Sequence, residues 1–273
     1  MLTTIDTTFK VNTVELPNGV KLSYVEQGDP SGVPVLLLHG LTDSWRSFEL
    51  VLPHLPESIH AFAISVRGHG DSGRPEAGYQ PHDFAADVAA FIETLNLGPA
   101  VITGHSMGST IAQRFALDYP EHIRGLVLIG SCPTFRGNSE LTALWDGVVA
   151  QLEDPIDPGF AREFQESTLA QPIPPAYLDT VVQESLKVPA RVWQAALRGL
   201  LDIDFSKELG KIKTPTLIIR GDRDGMVSLD EQEALLGTIE GAQFVVYPGA
   251  GHAAHWEEPA RFAADLVGFI KSL

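Results

Sequence analysis

The stretch AVITGHSMGSTIAQRFAL, residues 100–117, decides how the chain is read. Ala100 to Thr103 is a short apolar run stopped by a glycine, the pattern of a buried strand, and Ser109 to Leu117 reads as a helix. Between them stands Gly104-His105-Ser106-Met107-Gly108. A serine in a sharp strand-to-helix turn is held exposed at the sheet edge, and flanking glycines let the backbone crowd there. Composition alone gives on the order of 0.1 such motifs in a Gly-rich chain of this size, so the strand–turn–helix setting carries the inference. Ser106 is the candidate nucleophile.

Working outward, the same kind of apolar run recurs at Val33–Leu38, Ala61–Val66, Leu126–Ile129, Thr216–Ile219 and Phe244–Tyr247. Unalternating strands of this kind belong to a parallel sheet covered on both faces. Helical spacing links Phe84, Val88, Phe91, Ile92 and Leu95, and again Leu266, Phe269 and Ile270, while Ser228-Leu229-Asp230-Glu231 reads as a capping box. Ahead of these, Phe9–Leu16 and Val20–Gln27 alternate around Pro17-Asn18-Gly19, the signature of a hairpin. Strand–helix alternation predicts an α/β fold with a mainly parallel sheet.

The rhythm breaks between Cys132 and Lys213, where no strand pattern occurs. Leu141, Leu144, Trp145, Val148, Val149 and Leu152 share one helical face, and Val192, Trp193, Ala196 and Leu200 another. Prolines at 155, 158, 172, 174, 175 and 189 cut the segment into short helices. The simplest organisation is a core of residues 1–132 and 211–273 carrying a helical cap over residues 133–210.

The 273 residues carry 35 acidic against 19 basic side chains, a formal charge of −16. Such an excess repels a phosphate backbone, which excludes nucleic acid as a partner. Hydrophobic residues make up 44% and charged ones 20%, a globular composition. The single cysteine, Cys132, forms no internal disulfide, and no Cys/His cluster has zinc spacing, so no metal is expected. Cys132 stands at the end of a strand, close to the expected pocket, where a free cysteine acts as a small buried hydrophobe. Met1 to Lys10 lacks a leader pattern and no apolar run is long enough to cross a bilayer, so a cytoplasmic location away from membranes is expected.

A serine hydroxyl needs a base, and the base needs an orienting group. Two loops at the carboxyl ends of strands offer them: Arg220-Gly221-Asp222-Arg223-Asp224 and Gly251-His252. Asp222 and Asp224 both stand as orienting carboxylates, with Asp224 farther into its loop and freer to reach a histidine. His252 competes with His255, which precedes Trp256 and the start of the last helix and suits packing or capping better. His54, His60, His82 and His122 fall on helix ends or strand entries and read as solvated surface. Developing negative charge calls for preset donors: the Met107 amide, after the nucleophile, and the Leu41 amide, in the loop His39-Gly40-Leu41-Thr42.

Together His39-Gly40, Arg67-Gly68-His69-Gly70-Asp71-Ser72-Gly73, Gly104-His105-Ser106-Met107-Gly108, Gly221-Asp222-Arg223-Asp224 and Gly251-His252 resemble, in order, the landmarks of the α/β-hydrolase superfamily. The resemblance implies an eight-stranded sheet with one antiparallel strand, a helical cap after strand six, Asp224 as the acid and His252 as the base. Ser65, Ser109 and Gly225 depart from residues common in the family, which usually has Asp, Gly and Pro at these points. Members that act as haloalkane dehalogenases or epoxide hydrolases carry Asp where this chain has Ser106. The serine implies carboxylester hydrolysis through an acyl-enzyme, without metal or organic cofactor, on a small-molecule ester or lactone. Lactonases, C–C bond hydrolases and cofactor-free perhydrolases share the layout, and a receptor-like ligand-binding role is the alternative from another class. Phe135, Trp145 and Trp193 are the aromatic candidates for an acyl or aryl pocket.

Overall fold

A computed structural model describes residues 9–273 of the chain. The segment read for a leader, Met1 to Lys10, lies mostly outside the described residues. Eight strands form one sheet: β1 (Val11–Glu15), β2 (Lys21–Gln27), β3 (Val33–Leu38), β4 (Ile59–Ser65), β5 (Ala100–His105), β6 (Ile123–Ile129), β7 (Thr216–Gly221) and β8 (Gln243–Tyr247). Their spatial order is β1-β2-β4-β3-β5-β6-β7-β8, and only β2 runs antiparallel to its neighbours. The β1–β2 hairpin turns at Gly19, whose φ of +80° is open to glycine at no steric cost. Asn18 Oδ1 braces that turn by accepting from the Val20 amide at 3.0 Å.

Why the strands read as continuous apolar runs is visible in their packing. Leu36, Leu38, Phe62, Ile64, Ile102 and Leu128 point into one core. Their immediate neighbours Val35, Leu37, Ala61, Ala63, Val101 and Val127 point into the other. Successive side chains on a strand face opposite ways, so a sheet covered on both faces demands apolar residues at every position. The first core is covered by α1 (Pro81–Thr94) and α2 (Met107–Asp118), through Phe84, Val88, Phe91, Ile111 and Phe115. The second is covered by the short α8 (Ala254–Glu257) and by α9 (Pro259–Lys271), through Ala254, Phe262, Leu266, Phe269 and Ile270.

Between β6 and β7 lie α3 (Ser139–Gly147), α4 (Pro158–Ser167), α5 (Pro175–Leu186) and α6 (Ala190–Asp202), and no strand. Asn138 and Asp157 cap α3 and α4 through their side-chain oxygens, and Pro175 opens α5. The helical face read across Leu141 to Leu152 is broken: α3 ends at Gly147, Val148 is exposed, and a 3₁₀ turn follows over Val149–Gln151. The last helix to introduce, α7 (Leu229–Thr238), starts on the capping box in which Ser228 and Glu231 satisfy each other's amides. No helix among the described residues is long and apolar enough to cross a membrane.

Chain order reverses between β3 and β5, because β4 returns to the far side of β3 while β5 crosses to the other. Such a switch point opens a crevice beyond the carboxyl ends of the strands. The loops after β3 and β5 flank it. The loop after β4 is moored to α1 by a buried ion pair, in which Arg67 Nε donates to Asp87 Oδ2 at 2.6 Å and Nη2 donates to Oδ1. Asn18 Nδ2 adds a bond to Oδ1 at 2.9 Å. Replacing Asp87 by Ala would leave a buried guanidinium unpaired, and urea titration should show a loss of about 3–5 kcal/mol. A change below about 1 kcal/mol would contradict this account of the anchor.

Candidate active site

Ser106 follows β5 directly and sits at φ +51°, ψ −115°, outside the regions open to an ordinary L-residue. A backbone held there costs about 1–3 kcal/mol and persists only when its surroundings over-determine it. Here the Ser106 amide donates to the Ile129 carbonyl at 2.9 Å, and its carbonyl accepts from the Ser109 amide at 2.8 Å. Ser109, standing where relatives of this motif often carry glycine, adds a hydroxyl bond to the same carbonyl at 2.6 Å. The flanking glycines are obligatory for steric reasons. A Cβ on Gly104 would collide with the Gly108 carbonyl, and one on Gly108 with the Leu38 carbonyl of β3.

His252 lies in the loop after β8 and is buried. Its Nδ1 donates to Asp224 at 3.0 Å to Oδ1 and 2.9 Å to Oδ2. That bond fixes the tautomer and leaves Nε2 for proton transfer. Asp224 also accepts from the amides of Met226 at 2.8 Å and Val227 at 3.0 Å, and from Gln232 Nε2 at 3.2 Å. Burial works to raise the Asp224 carboxyl, but His252 and these amides outweigh it and hold the group below the ordinary carboxylate range. Asp222 is exposed and accepts instead from the Gly249 amide at 2.6 Å, bracing the turn after β8. His252 and Ser106 line one cavity, and no hydrogen bond joins their side chains among the described residues. In an empty site that bond is often long and closes on substrate.

The loop after β3 faces Ser106 across the switch point. His39 is buried; its Nδ1–H donates to the Gly40 carbonyl at 2.7 Å while Nε2 accepts from the Val66 amide at 3.0 Å. Because the Gly40 carbonyl and the Leu41 N–H belong to one peptide plane, His39 sets the direction of the Leu41 amide. Neither the Leu41 nor the Met107 amide has an acceptor among the described residues. Both are open to a developing oxyanion.

The cavity that contains Ser106 and His252 has a volume of about 20 Å³. Its apolar wall is Leu41 and Trp256 from the core, Met226 from the loop after β7, and Phe135, Leu141, Phe164 and Leu200 from the segment between β6 and β7. Asp43, His105, Gln165 and Thr168 complete it, and no Lys or Arg lines it. Of the aromatic candidates Phe135 is therefore in the wall, and two expectations are corrected. Trp193 is fully buried beside Phe160 and Phe164, with centroids 5.3 and 5.1 Å away, and packs α6 onto α4. Trp145 sits partly buried on α3 under the Arg198 guanidinium at 5.5 Å. A third correction concerns His60, which is buried against Phe62 and within 2.7 Å of Glu26 Oε1 rather than solvated.

Cys132 is buried in the core, outside the wall of the cavity, and burial pushes its thiol well above the usual range. His255 is no base: it is stacked between Phe48 and His105, within 3.1 Å of Ser47 Oγ, and burial depresses it to about 3. Asp43 and Gln165 belong to no sequence motif, and His105 lies inside the nucleophile motif as one of its variable positions. Asp43 stands two residues after Leu41, which is the one sequence signal that could have pointed to it.

A strand-to-helix serine, a carboxylate-bound histidine and a pair of free amides at the switch point of a mostly parallel sheet define the class of the α/β hydrolases. The α/β hydrolase family model matches residues 35–265, and the chain belongs to that family. It is 31% identical over 266 residues to a 2-(acetamidomethylene)succinate hydrolase of Mesorhizobium japonicum, spanning 92% of each chain. It is 26% identical to a non-heme chloroperoxidase of Streptomyces lividans, covering 96% of this chain and all of that one. Among solved structures, an esterase from Exiguobacterium antarcticum superposes with a TM-score of 0.86 at 26% identity, over 96% of this chain and 100% of the other.

Burial lowers His39, His69, His105 and His255, to about 4 for His69 and about 3 for His255. An unfolded chain restores each to about 6.5. The unfolded state then binds more protons below pH 6.5, so stability falls as pH drops through that value toward 4. At pH 5, His69 and His255 should each cost about 2 kcal/mol, with His39 and His105 adding in the same direction. Asp43, pushed up to about 7 by burial, has the opposite sign and stabilises the fold as pH falls from about 7 toward 4. The net expectation is a marked fall in the urea midpoint between pH 7 and pH 5; a flat midpoint would contradict it.

Proposed function

We propose that the chain is a serine hydrolase that cleaves carboxylic esters of small molecules through an acyl-enzyme on Ser106. The observation that carries this reading is the carboxylate–histidine pair Asp224–His252 sharing a water-sized, largely apolar cavity with a serine on a strained turn. Ser106 Oγ attacks the ester carbonyl carbon as its proton passes to His252 Nε2. The carbonyl oxygen takes up the negative charge against the Leu41 and Met107 amides, each such donor being worth about 3 kcal/mol of barrier. His252 returns the proton to the leaving alkoxide, and the alcohol departs. Water then attacks the acyl-enzyme, giving its proton to His252. The acid leaves as Ser106 recovers its hydrogen. Asp224 stays ionised and stabilises the imidazolium formed in each half-reaction.

Residues 133–210 serve as the lid, supplying Phe135, Leu141, Phe164 and Leu200 to the acyl or alcohol pocket. The composition of the wall argues for an uncharged or cationic substrate. A succinate carries two carboxylates, and this cavity offers no Lys or Arg to meet them while placing Asp43 in their way. The substrate of the 31% identical relative therefore does not transfer to this chain. Steady-state hydrolysis of p-nitrophenyl esters from short to long acyl chains tests the reading. Turnover should fall by at least about 10³-fold in Ser106→Ala and roughly 10⁴-fold in Asp224→Asn, with folding intact. Unchanged turnover in Ser106→Ala would overturn it.

A further inference from the structure

The polar part of the cavity wall that the hydrolytic mechanism leaves unused has a single hydrogen-bonding character. His105 Nε2–H donates to the His252 carbonyl at 3.2 Å, and burial keeps the ring neutral, so His105 Nδ1 is an acceptor; it is buried and has no donor. Gln165 spends both amide hydrogens, on Asp43 Oδ1 at 2.9 Å and on Ser185 Oγ at 2.6 Å. That assignment turns Gln165 Oε1 into a second buried acceptor without a donor. Thr168 gives its hydroxyl hydrogen to the Gln165 carbonyl at 2.7 Å and keeps only lone pairs. Asp43 is 3% exposed and has no cationic partner; its other neighbour is Ser47 Oγ at 3.5 Å. Asp43 Oδ2 and His105 Nδ1 converge on one notch, 3.0 and 2.9 Å from the point where a Gly40 side chain would begin.

Two of these acceptors, His105 Nδ1 and Gln165 Oε1, are buried without any donor, and Asp43 and Thr168 add further lone pairs to the same cavity wall. We propose that Asp43, His105 and Gln165 form an acceptor-only subsite that selects esters or lactones carrying a hydroxyl or amino group within two or three bonds of the scissile carbonyl. The short reach follows from the chain: Gly40 borders the notch, and the next residue, Leu41, supplies the oxyanion amide. This inference deepens the serine hydrolase reading and rests on it. The apolar wall takes the rest of the substrate, and the acidic protein, at −16, favours the approach of a cation over an anion.

The test pairs methyl 3-hydroxybutanoate with its methyl-for-hydroxyl isostere, methyl 3-methylbutanoate, at pH 8. Calorimetric binding to the full chain carrying Ser106→Ala reads the subsite without turnover. The hydroxy ester should bind at least about tenfold more tightly than the isostere. Adding Asp43→Asn, or separately Gln165→Leu in the helical segment, should bring the ratio toward one. Equal binding, tighter binding of the isostere, or binding of neither ester would overturn the subsite. Hydrolysis by the unmodified protein judges the underlying reading separately: if neither ester is turned over while the binding ratio holds, the ester hydrolase assignment fails and the acceptor subsite stands.

Discussion

The close approach of α2 to β3, backbone against backbone, is the constraint on which the site depends. Gly108 lies so near the Leu38 carbonyl that no side chain fits between them, and Gly104 is equally pressed against Gly108. This crowding lets the chain leave β5 and enter α2 within a single residue, which forces Ser106 to φ +51°. The same crowding draws the Met107 amide, at the start of a helix with no acceptor of its own, up to the loop that presents the Leu41 amide. A helix N-terminus carries a partial positive charge, which favours an anion at that spot. One steric fact thus places the serine, leaves the Met107 amide free and sets the start of α2 against the end of β3 and its following loop.

Two carboxyls of one site are pushed in opposite directions by their surroundings. The Asp224 side chain is shielded from solvent, yet His252 and the Met226 and Val227 amides keep it charged. Asp43 is buried with weaker compensation from Gln165, Gly40 and Ser47, and burial wins, raising it to about 7. Around them the histidines 39, 69, 105 and 255 are packed against one another and held neutral. The interior near Ser106 therefore carries little fixed charge beyond the Asp224–His252 pair, and Asp43 adds its negative charge only as pH rises through about 7. In such surroundings the free Leu41 and Met107 amides are little screened by solvent.

Sequence reading reached the sheet and the triad candidates because each has a local cause. Strand after strand is apolar at every position since both faces are covered, and Ser106 is announced by glycines that sterics make obligatory. Asp224 is favoured over Asp222 already by its place in the loop and by the family resemblance, and the structure adds the physical reason: Asp224 points at His252 and Asp222 at the Gly249 amide. The pocket was less legible. Trp145 and Trp193 differ in which face of α3 and α6 meets the cavity, a matter of helix packing and not of periodicity. His60 looked like surface because its strand begins two residues earlier than the apolar run, at Ile59. Gln165, the closest hydrogen-bond partner of Asp43, lies 122 residues away in sequence, beyond any local pattern.

The free volume beside Ser106 is about 20 Å³, and Phe135, Leu141, Phe164 and Leu200 of its apolar wall come from the segment between β6 and β7. The helices between β6 and β7 are tied to the core unequally. The end of α4 is held by Gln165 on Asp43 and by the Thr168 carbonyl, which accepts from the Ala253 amide at 3.1 Å. Just beyond it, the Ala170 amide donates to Glu257 at 2.6 Å. Helix α5 is fastened through Tyr177 to the Arg46 and Ser47 carbonyls and through Ser185 to Thr42. Arg191 of α6 holds the Arg74 and Pro75 carbonyls. At α3, by contrast, Asn138 reaches Met226 and Glu231 from the first turn, while Leu144 and Trp145 farther along are only half buried. Leu141 of α3 thus stands in a part of the wall with few polar ties to the core. Asp43, His105 and Gln165 stand in the firmly tied part of the same wall, through the Gln165–Asp43 bond and the bond from His105 to the His252 carbonyl.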